Sequence, residues 1–471
     1  MSAAGELRPV VVGAGPAGVR AAQALVAHGL RPVVIDEAPR AGGQIYRRPP
    51  AGLAQRSTKA LYGFEAGRAD ALHAAFDGLH GRIDHLGDSL VWNVQDGVLD
   101  VMHHPTRGHR RVPYSHLVVA TGATDRVLPV PGWTLPGVYT LGGAQVALKF
   151  QGCAIGRRVV FMGTGPLLYL VAYQYAKAGA KHGVQVAAVL DTARLADQLA
   201  ATPAMLSQPA VFAKGVYYVG WLRAHGVALH GGVRPLRVIG DDAQGRVAGV
   251  AWHDGTREHT LACDAVGFGY ALRSETQLAD LLDCRFDYAP LHRAHLPVRD
   301  AAGRASVAGV YLAGDGAGIM GADAAEWAGE RAALALLADA GIAIDTARAA
   351  QLERRLGRLA GFRRGLERAF PLPTDWAAHA SDDLVVCRCE NVTAGTLRQA
   401  VAVNGANELN RLKALSRVGM GRCQGRMCGA AAAEILAHAT QQPLQQVGRL
   451  RGQAPIKPIP IRLVPADGGG A

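Results

Sequence analysis

Short apolar runs and helical stripes follow one another through most of the chain, and their order sets the expected fold. Pro9–Val12 is apolar throughout, as a strand buried on both faces is; a glycine turn, an amphipathic stretch and a second apolar run ending at Asp36 and Glu37 complete a strand–helix–strand unit. Between about 50 and 115 the pattern is mixed, and LVWNVQDGVLDVMHH alternates like an antiparallel excursion off the main sheet. Leu117–Ala120 then forms a buried strand running into Thr121, Gly122 and Ala123. Arg158–Met162 opens a second unit of the same kind, closed by VQVAAVLD, and short strands with the turns DDAQGR and HDGTRE follow to about 275. The run Ser306–Ala313 predicts a strand ending in Gly314-Asp315-Gly316 before a Gly- and Ala-rich helix. Leu352, Leu356, Leu359, Phe362, Leu366 and Phe370 stand at helical spacing with arginines between them, and Pro371 to Thr374 marks a linker. The helix is expected to pack on the first domain rather than on a membrane.

The glycines give the first unit its chemistry. Gly13 allows a sharp turn, Gly15 lets a pyrophosphate approach the backbone with Pro16 and Ala17 opening the helix, and Gly18 lets helix and strand pack closely. The helix N-terminus offers unpaired N–H groups to phosphate, and Asp36, or Glu37 beside it, is placed to accept from a ribose. Gly43 and Gln44, in Gly42-Gly43-Gln44-Ile45-Tyr46, form a second loop able to approach a ligand. In the second unit, Gly163-Thr164-Gly165-Pro166-Leu167-Leu168 places Leu168 where the third glycine belongs. That side chain should hold the helix off the strand and crowd the pyrophosphate path, so a second nucleotide, NAD or another, is an open expectation. If one binds, Asp191 would favour a free ribose 2′-hydroxyl. Asp315 could bind a polyol chain or simply cap a helix.

Composition narrows the class. The 471 residues exceed one ordinary domain, and 50 Lys and Arg against 38 Asp and Glu give +12. The basic residues are scattered without interleaved aromatics, so a solvated surface or an acidic partner is expected, not nucleic acid. There is no 18-residue apolar run for a membrane span and no room before the first strand for a signal peptide, which suggests a cytoplasmic location. Of seven cysteines, Cys153, Cys263 and Cys284 are isolated and expected to be buried structural thiols. Cys387-Arg388-Cys389 and Cys423-Gln424-Gly425-Arg426-Met427-Cys428 form two close pairs. Zinc usually takes Cys-x2–4-Cys pairs, which Cys-x-Cys fits poorly; a [2Fe-2S] cluster takes four thiolates and adds a one-electron relay, with zinc or plain thiols as the alternatives. Gly419, Gly421 and Gly425 would let N–H groups reach the sulfurs.

GAGPAG, ATG near 121 and SVAGVYLAGDG together resemble the two-dinucleotide-domain flavoproteins related to glutathione and thioredoxin reductases. The resemblance implies FAD in the first unit with Asp315 at its ribitol; lacking a cysteine pair against the flavin, disulfide reductase chemistry is not expected. The segment from Cys387 to Gly429 resembles the bacterioferritin-associated-ferredoxin-like [2Fe-2S] domain, in the version fused to flavoprotein subunits. GGQIYRR, GTGPLL, GDGAGIMGADAAEWAGE and the CRCE…GMGRCQGRMCG tail, in this order, resemble the larger FAD-binding subunit of multi-subunit amino-acid dehydrogenases. That group includes opine oxidases, D-hydroxyproline dehydrogenase, dye-linked L-proline dehydrogenase, one of the hydrogen cyanide synthase subunits and, more distantly, the sarcosine oxidase α subunit.

The expected architecture is α/β: a Rossmann-like FAD domain (1–125 and 273–345) with an inserted NAD(P)-type domain (126–272), a helical connector (346–380), a small helical [2Fe-2S] domain (381–440) and an extended tail (441–471). Gly13, Gly15, Pro16, Ala17, Gly18, Asp36, Glu37, Gly43, Gln44, Thr121, Gly122, Gly314 and Asp315 are the expected FAD residues. Cys387, Cys389, Cys423 and Cys428 are the expected cluster ligands. The resemblance implies an electron-transfer subunit beside a second flavoprotein subunit of the glycine/D-amino-acid oxidase type. An FMN at a subunit boundary and a small third subunit are further options. A stand-alone NAD(P)H-dependent reductase serving a ferredoxin or oxygenase, and a redox sensor with structural zinc, are the rivals. The Pro- and Gly-rich tail is expected to wrap a partner or to lack fixed structure.

Overall fold

The computed structural model describes residues 7–50, 52, 57–460 and 464–465. Two five-stranded parallel sheets carry the molecule. In the first, the strand order is Val310–Leu312, His116–Val119, Pro9–Val12, Val33–Ile35, Asp84–Leu86. Val11, at its centre, lies opposite both Val34 and Val118. All three are fully buried, as the continuous apolar runs require of strands covered on both faces. In the second sheet the order is Ala228–Gly231, Gln185–Asp191, Arg158–Thr164, Ala265–Tyr270, Val138–Thr140.

The units repeat one plan. Each inserts an antiparallel three-stranded meander before its fourth strand: Ser89–Gln95, Val98–His103 and Gly108–Pro113 in the first, Arg234–Asp241, Arg246–His253 and Glu258–Ala262 in the second. The alternation seen around residues 90–104 is therefore an antiparallel excursion. The fifth strand differs in origin. It arrives from the far side of the inserted unit in the first sheet, and from the start of that unit, ahead of its glycine turn, in the second. The strand expected from Ser306 is short, confined to Val310–Leu312, because Val307 and Gly309 belong to a tight turn.

A two-stranded antiparallel ribbon, Ala123–Asp125 with Leu272–Ser274, joins the units. The helix Thr346–Ala369 starts on the first domain, where Ala349 and Leu352 join its core, and finishes on the second, where Phe362 and Ala369 meet Ala201 and Met205. It thus spans both domains, beyond the single contact expected of it. The C-terminal unit holds a small hairpin, Val385–Cys387 with Val392–Thr393, and the helices Ala394–Ala402, Leu409–Ser416 and Gly429–Thr440. Leu397, Leu412, Ile435 and Leu436 fill its centre. Trp133 and Trp376 tie it to the second domain by donating to the carbonyls of Val385 and Pro129.

The tail corrects its expectation over the residues described. Val447 is fully buried, Ile456 joins the first domain's core, and Arg449 and Arg451 both pair with the buried Asp280. This segment wraps its own chain. Beyond 460 the described residues are Val464 and Pro465, which extend the first meander.

Among the described residues, no helix is long and apolar enough to cross a membrane.

Candidate functional site

The first glycine turn is built as its spacing demands. Gly13 has φ +105°, and a Cβ there would sit 2.3 Å from the carbonyl oxygen of Ala120. A Cβ on Gly18 would fall 1.7 Å from the Gly13 oxygen, so only glycine lets the helix Pro16–Ala27 press onto the strand. That helix starts at Gly15 without a side-chain cap and with no acid in its first turn, leaving its positive end to a ligand. Pro16 sits in its first turn and Ala17 is buried beside it. Gly43 packs against Gly15 so closely that a Cβ on it would lie 2.9 Å from the Gly15 Cα.

Asp36 braces this turn: its carboxylate accepts from the Ala14 amide at 2.5 Å and the Ala38 amide at 2.7 Å. Burial raises its pKa, against those two hydrogen bonds. A carboxylate holding two donors keeps acceptor capacity for a ribose. Glu37 is exposed and paired with Lys457 from the tail, so Asp36 is the acid at the turn. Gln44 is also exposed and accepts from Arg47.

Asp315 does not cap the following helix, which begins at Ala322 with Gly321 in the cap position. Its Oδ1 accepts the amides of Met320 and Gly321 at 2.8 and 3.0 Å, folding a short loop after Gly314, whose φ is +68°. Thr121 donates to the carbonyl of Glu275 at 2.6 Å, and the Gly122 carbonyl accepts from the Glu275 amide at 2.9 Å. A Cβ on Gly316 would come 2.8 Å from Thr121 Oγ1, so the loops after residues 120 and 313 meet at one place.

The second glycine turn differs. Leu168 is fully buried in the core between sheet and helices. Asp191 is also fully buried; it accepts from the Tyr169 hydroxyl at 2.8 Å and from the Ala193 amide at 2.9 Å. Burial pushes its pKa up to about 6. The ribose-facing role anticipated for this acid is contradicted by its enclosure beneath Tyr169.

The four C-terminal cysteines converge, with Cys387 and Cys428 buried, Cys423 half-buried and Cys389 exposed. Cys428 lies within hydrogen-bonding reach of both Cys387 and Cys423, and Cys389 of Cys423. Contact with Cys428, together with amides, pulls Cys387 down to about 6 and Cys423 to about 5, while Cys428 is raised by the same contacts. The donating amides include Gly419 for Cys387 and Gly425 for Cys423, as expected of those glycines. Gly421 has a steric role, because a Cβ on it would lie 2.3 Å from the Cys389 Cβ. Four thiolates this close repel one another, so the set calls for a cationic centre. Among the described residues, no three His, Cys, Asp or Glu side chains are gathered tightly enough for a single metal ion. Cys263 and Cys284 are buried as anticipated, whereas Cys153, in the loop after the helix Leu141–Lys149, is exposed.

Sequence spacing missed the wall between these places. Arg273 donates to the carbonyls of Gly425 and Arg426 at 3.2 and 3.1 Å, Glu275 pairs with Arg426 at 2.7 Å, and Gln277 donates to the Gln424 carbonyl at 2.6 Å. The intervening Ser274 instead accepts the Gly318 amide at 3.1 Å. Period-two alternation thus sends one side of the segment to the cysteine loop and the other to the loop after Gly314. Burial pushes Glu275 up, but Arg426 overcomes it and holds the carboxyl below its ordinary range. The only prior signal was a charged Arg-x-Glu directly after the apolar strand Ala265–Tyr270.

Residues 7–329 match the pyridine nucleotide-disulphide oxidoreductase family, and residues 385–438 match the BFD-like [2Fe-2S] binding domain. One of the opine oxidase subunits of Agrobacterium tumefaciens is 36% identical, over 96% of this chain and 90% of that protein. The hydrogen cyanide synthase subunit HcnB of Pseudomonas aeruginosa is 35% identical, over 97% of each. The crystal structure of L-proline dehydrogenase from P. horikoshii superposes with a TM-score of 0.69 at 18% identity, covering 97% of this chain and 78% of that one, and shares the fold. A glycine cradle at Gly13, paired cysteines in a terminal helical unit and full-length relatives named as subunits thus place this chain in the pyridine nucleotide-disulphide oxidoreductase family, among members that carry a BFD-like [2Fe-2S] domain.

Proposed function

We propose that this chain is the FAD- and [2Fe-2S]-carrying electron-transfer subunit of a multi-subunit enzyme that oxidises a carbon–nitrogen bond of an amino acid, imino acid or opine. The observation that carries the reading is the shared wall: residues 273–277 touch both the loops of the flavin-type site and the loop that bears Cys423 and Cys428. The names of the full-length relatives, which are subunits of opine oxidase and of hydrogen cyanide synthase, support it.

Gly13, Gly15 and Gly18 with the adjoining helix N-terminus would hold the FAD pyrophosphate, Asp36 its ribose, and Asp315 its polyol chain. Cys387, Cys389, Cys423 and Cys428 would hold the cluster. FAD supplies two-electron chemistry and a [2Fe-2S] cluster a one-electron station. Thr121 and Gly316 bring the loops after residues 120 and 313 together, and the buried Arg426–Glu275 pair fixes the cysteine loop against the same wall.

Substrate oxidation is assigned to a partner flavoprotein of the glycine/D-amino-acid oxidase type, and a small third subunit is an optional component. The inserted unit is assigned a scaffold role, since its third glycine position is a core leucine, Leu168, and its strand-end acid Asp191 is enclosed under Tyr169. No group in this chain is assigned to an FMN at a subunit boundary.

The test is purification of the chain with its co-expressed partners, flavin and iron analysis, and assay of opines, D-hydroxyproline, proline, glycine and sarcosine with a dye acceptor. One flavin and two irons on this chain, with dye reduction only in the complex, are expected. Rapid flavin bleaching by NADH in stopped flow would instead establish the stand-alone reductase. Zinc without iron would establish the sensor.

A further inference from the structure

Several enclosed arginines of this molecule have a carboxylate: Arg426 has Glu275, Arg293 has Glu434, Arg331 has Glu353 and Arg363 has Glu367. Arg126 and Arg299 donate instead to single backbone carbonyls, of His292 and Leu312, and Arg273 likewise has no ion-paired carboxylate among the described residues; it differs from those two in where it points. Its hydrogen bonds go to two backbone carbonyls of the cysteine loop, Gly425 and Arg426. Glu275 acts on it from longer range but is committed to Arg426, and the Cys428 and Cys423 thiols are the next negative groups that it feels. Its Nη1 lies where a Cβ on Gly429, the residue after Cys428, would be 3.6 Å away. A guanidinium keeps its proton in proteins, and enclosing one without a paired counter-charge costs several kcal/mol. Carbonyl dipoles and the more distant Glu275 meet part of that cost, but Arg273 has no carboxylate of its own.

A four-thiolate [2Fe-2S] centre held by these cysteines would supply a further anion beside Arg273. It carries net negative charge when oxidised and gains one more negative charge with the single electron of reduction, and nearby charge and hydrogen bonding shift its potential. Glu275 enters the same balance with the opposite sign. It neutralises Arg426, which lies between Cys423 and Cys428, at side chains only 10% and 13% exposed. Little solvent is left there to screen either group.

We propose that Arg273 and Glu275 are positioning residues that set the reduction potential of this chain's cluster from its flavin side, Arg273 raising it and Glu275 lowering it. The proposal rests on the cluster-bearing reading above. It gives the alternation at 273, 274 and 275 a purpose: Ser274 ties down the loop after Gly314, while its neighbours place one cation held by carbonyls and one neutralised cation against the cysteine loop. An electron leaving reduced FAD would then move toward a site whose added charge Arg273 already compensates, with no proton transfer to Arg273.

The experiment uses the full chain with FAD and a reconstituted cluster. Iron and acid-labile sulfide are quantified, and the cluster midpoint is measured by potentiometric titration followed by electron paramagnetic resonance. Arg273→Met is expected to shift the midpoint to more negative values, Arg273→Lys to restore most of the shift, and Glu275→Gln to shift it to more positive values. An unshifted midpoint in a fully loaded Arg273→Met chain overturns the proposal, as does a Glu275→Gln shift of the wrong sign or none. If Arg273→Met fails to assemble a cluster, Glu275→Gln decides by the same criterion. Absence of iron from the unmodified chain would instead defeat the parent reading.

Discussion

The two parallel sheets share strand order and an inserted meander, yet their glycine turns diverge at two positions. In the first, Gly18 brings the helix onto the strand and Asp36 receives two backbone amides at the rim of the turn. In the second, Leu168 is core and Asp191 is sealed under Tyr169. Residues that would otherwise meet a ligand have been turned inward to strengthen packing. A nucleotide-type fold can therefore survive as architecture after its turn is filled, and the state of that turn carries more functional information than the sheet around it.

The harshest way to erase the difference is Gly18→Leu, which puts into the first unit the side chain found in the second. With a Cβ alone already 1.7 Å from the Gly13 oxygen, complete loss of bound flavin is expected, checked by the absorbance of the purified chain. The complementary change, Leu168→Ala, should leave flavin content intact and destabilise the inserted unit by about 2–5 kcal/mol, measured by denaturant unfolding. Asp36→Ala removes both amide contacts from a partly exposed carboxylate; flavin affinity should fall roughly 10-fold or more, followed by flavin fluorescence on dilution.

Asp191→Asn bears on pH dependence. The folded pKa of about 6 stands above the ordinary value of 3.8, so the folded state holds this proton more tightly than the unfolded chain does. Stability should therefore fall as pH rises from about 4 to 6, by about 3 kcal/mol, and stay level above that range. The amide variant should flatten that slope. Identical pH profiles for the two proteins would show that Asp191 titrates as an ordinary surface acid.

Much of this contrast was legible in the chain itself. The missing third glycine announced the altered second turn, since a branched side chain cannot occupy a space that excludes even a Cβ. The close cysteine pairs likewise announced their site, because few other roles need four thiols in that spacing. What escaped notice depends on directions that periodicity does not encode. Tyr169 follows Leu168 along the helix, and nothing in the pattern says that its hydroxyl turns to Asp191. Arg273, Glu275 and Gln277 are ordinary polar residues until the cysteine loop, some 150 positions later, arrives beside them. The tail looked coreless because its apolar partners, such as the cluster that receives Ile456, belong to the first domain.

The ribbon of Ala123–Asp125 with Leu272–Ser274 bears on the order in which the chain assembles. The edge strand Val310–Leu312 must find His116–Val119 across the whole inserted unit, a closure that would be entropically costly for a flexible loop of that length. Folding of the inserted unit brings residues 125 and 272 together and reduces that search to a short one. The second sheet, whose strands pair without Val310–Leu312, has all its strands ahead of that segment in the chain, so the flavin-type sheet is the one that closes last. The domain with the filled turn thus holds together the two stretches of chain from which the domain with the open turn is completed.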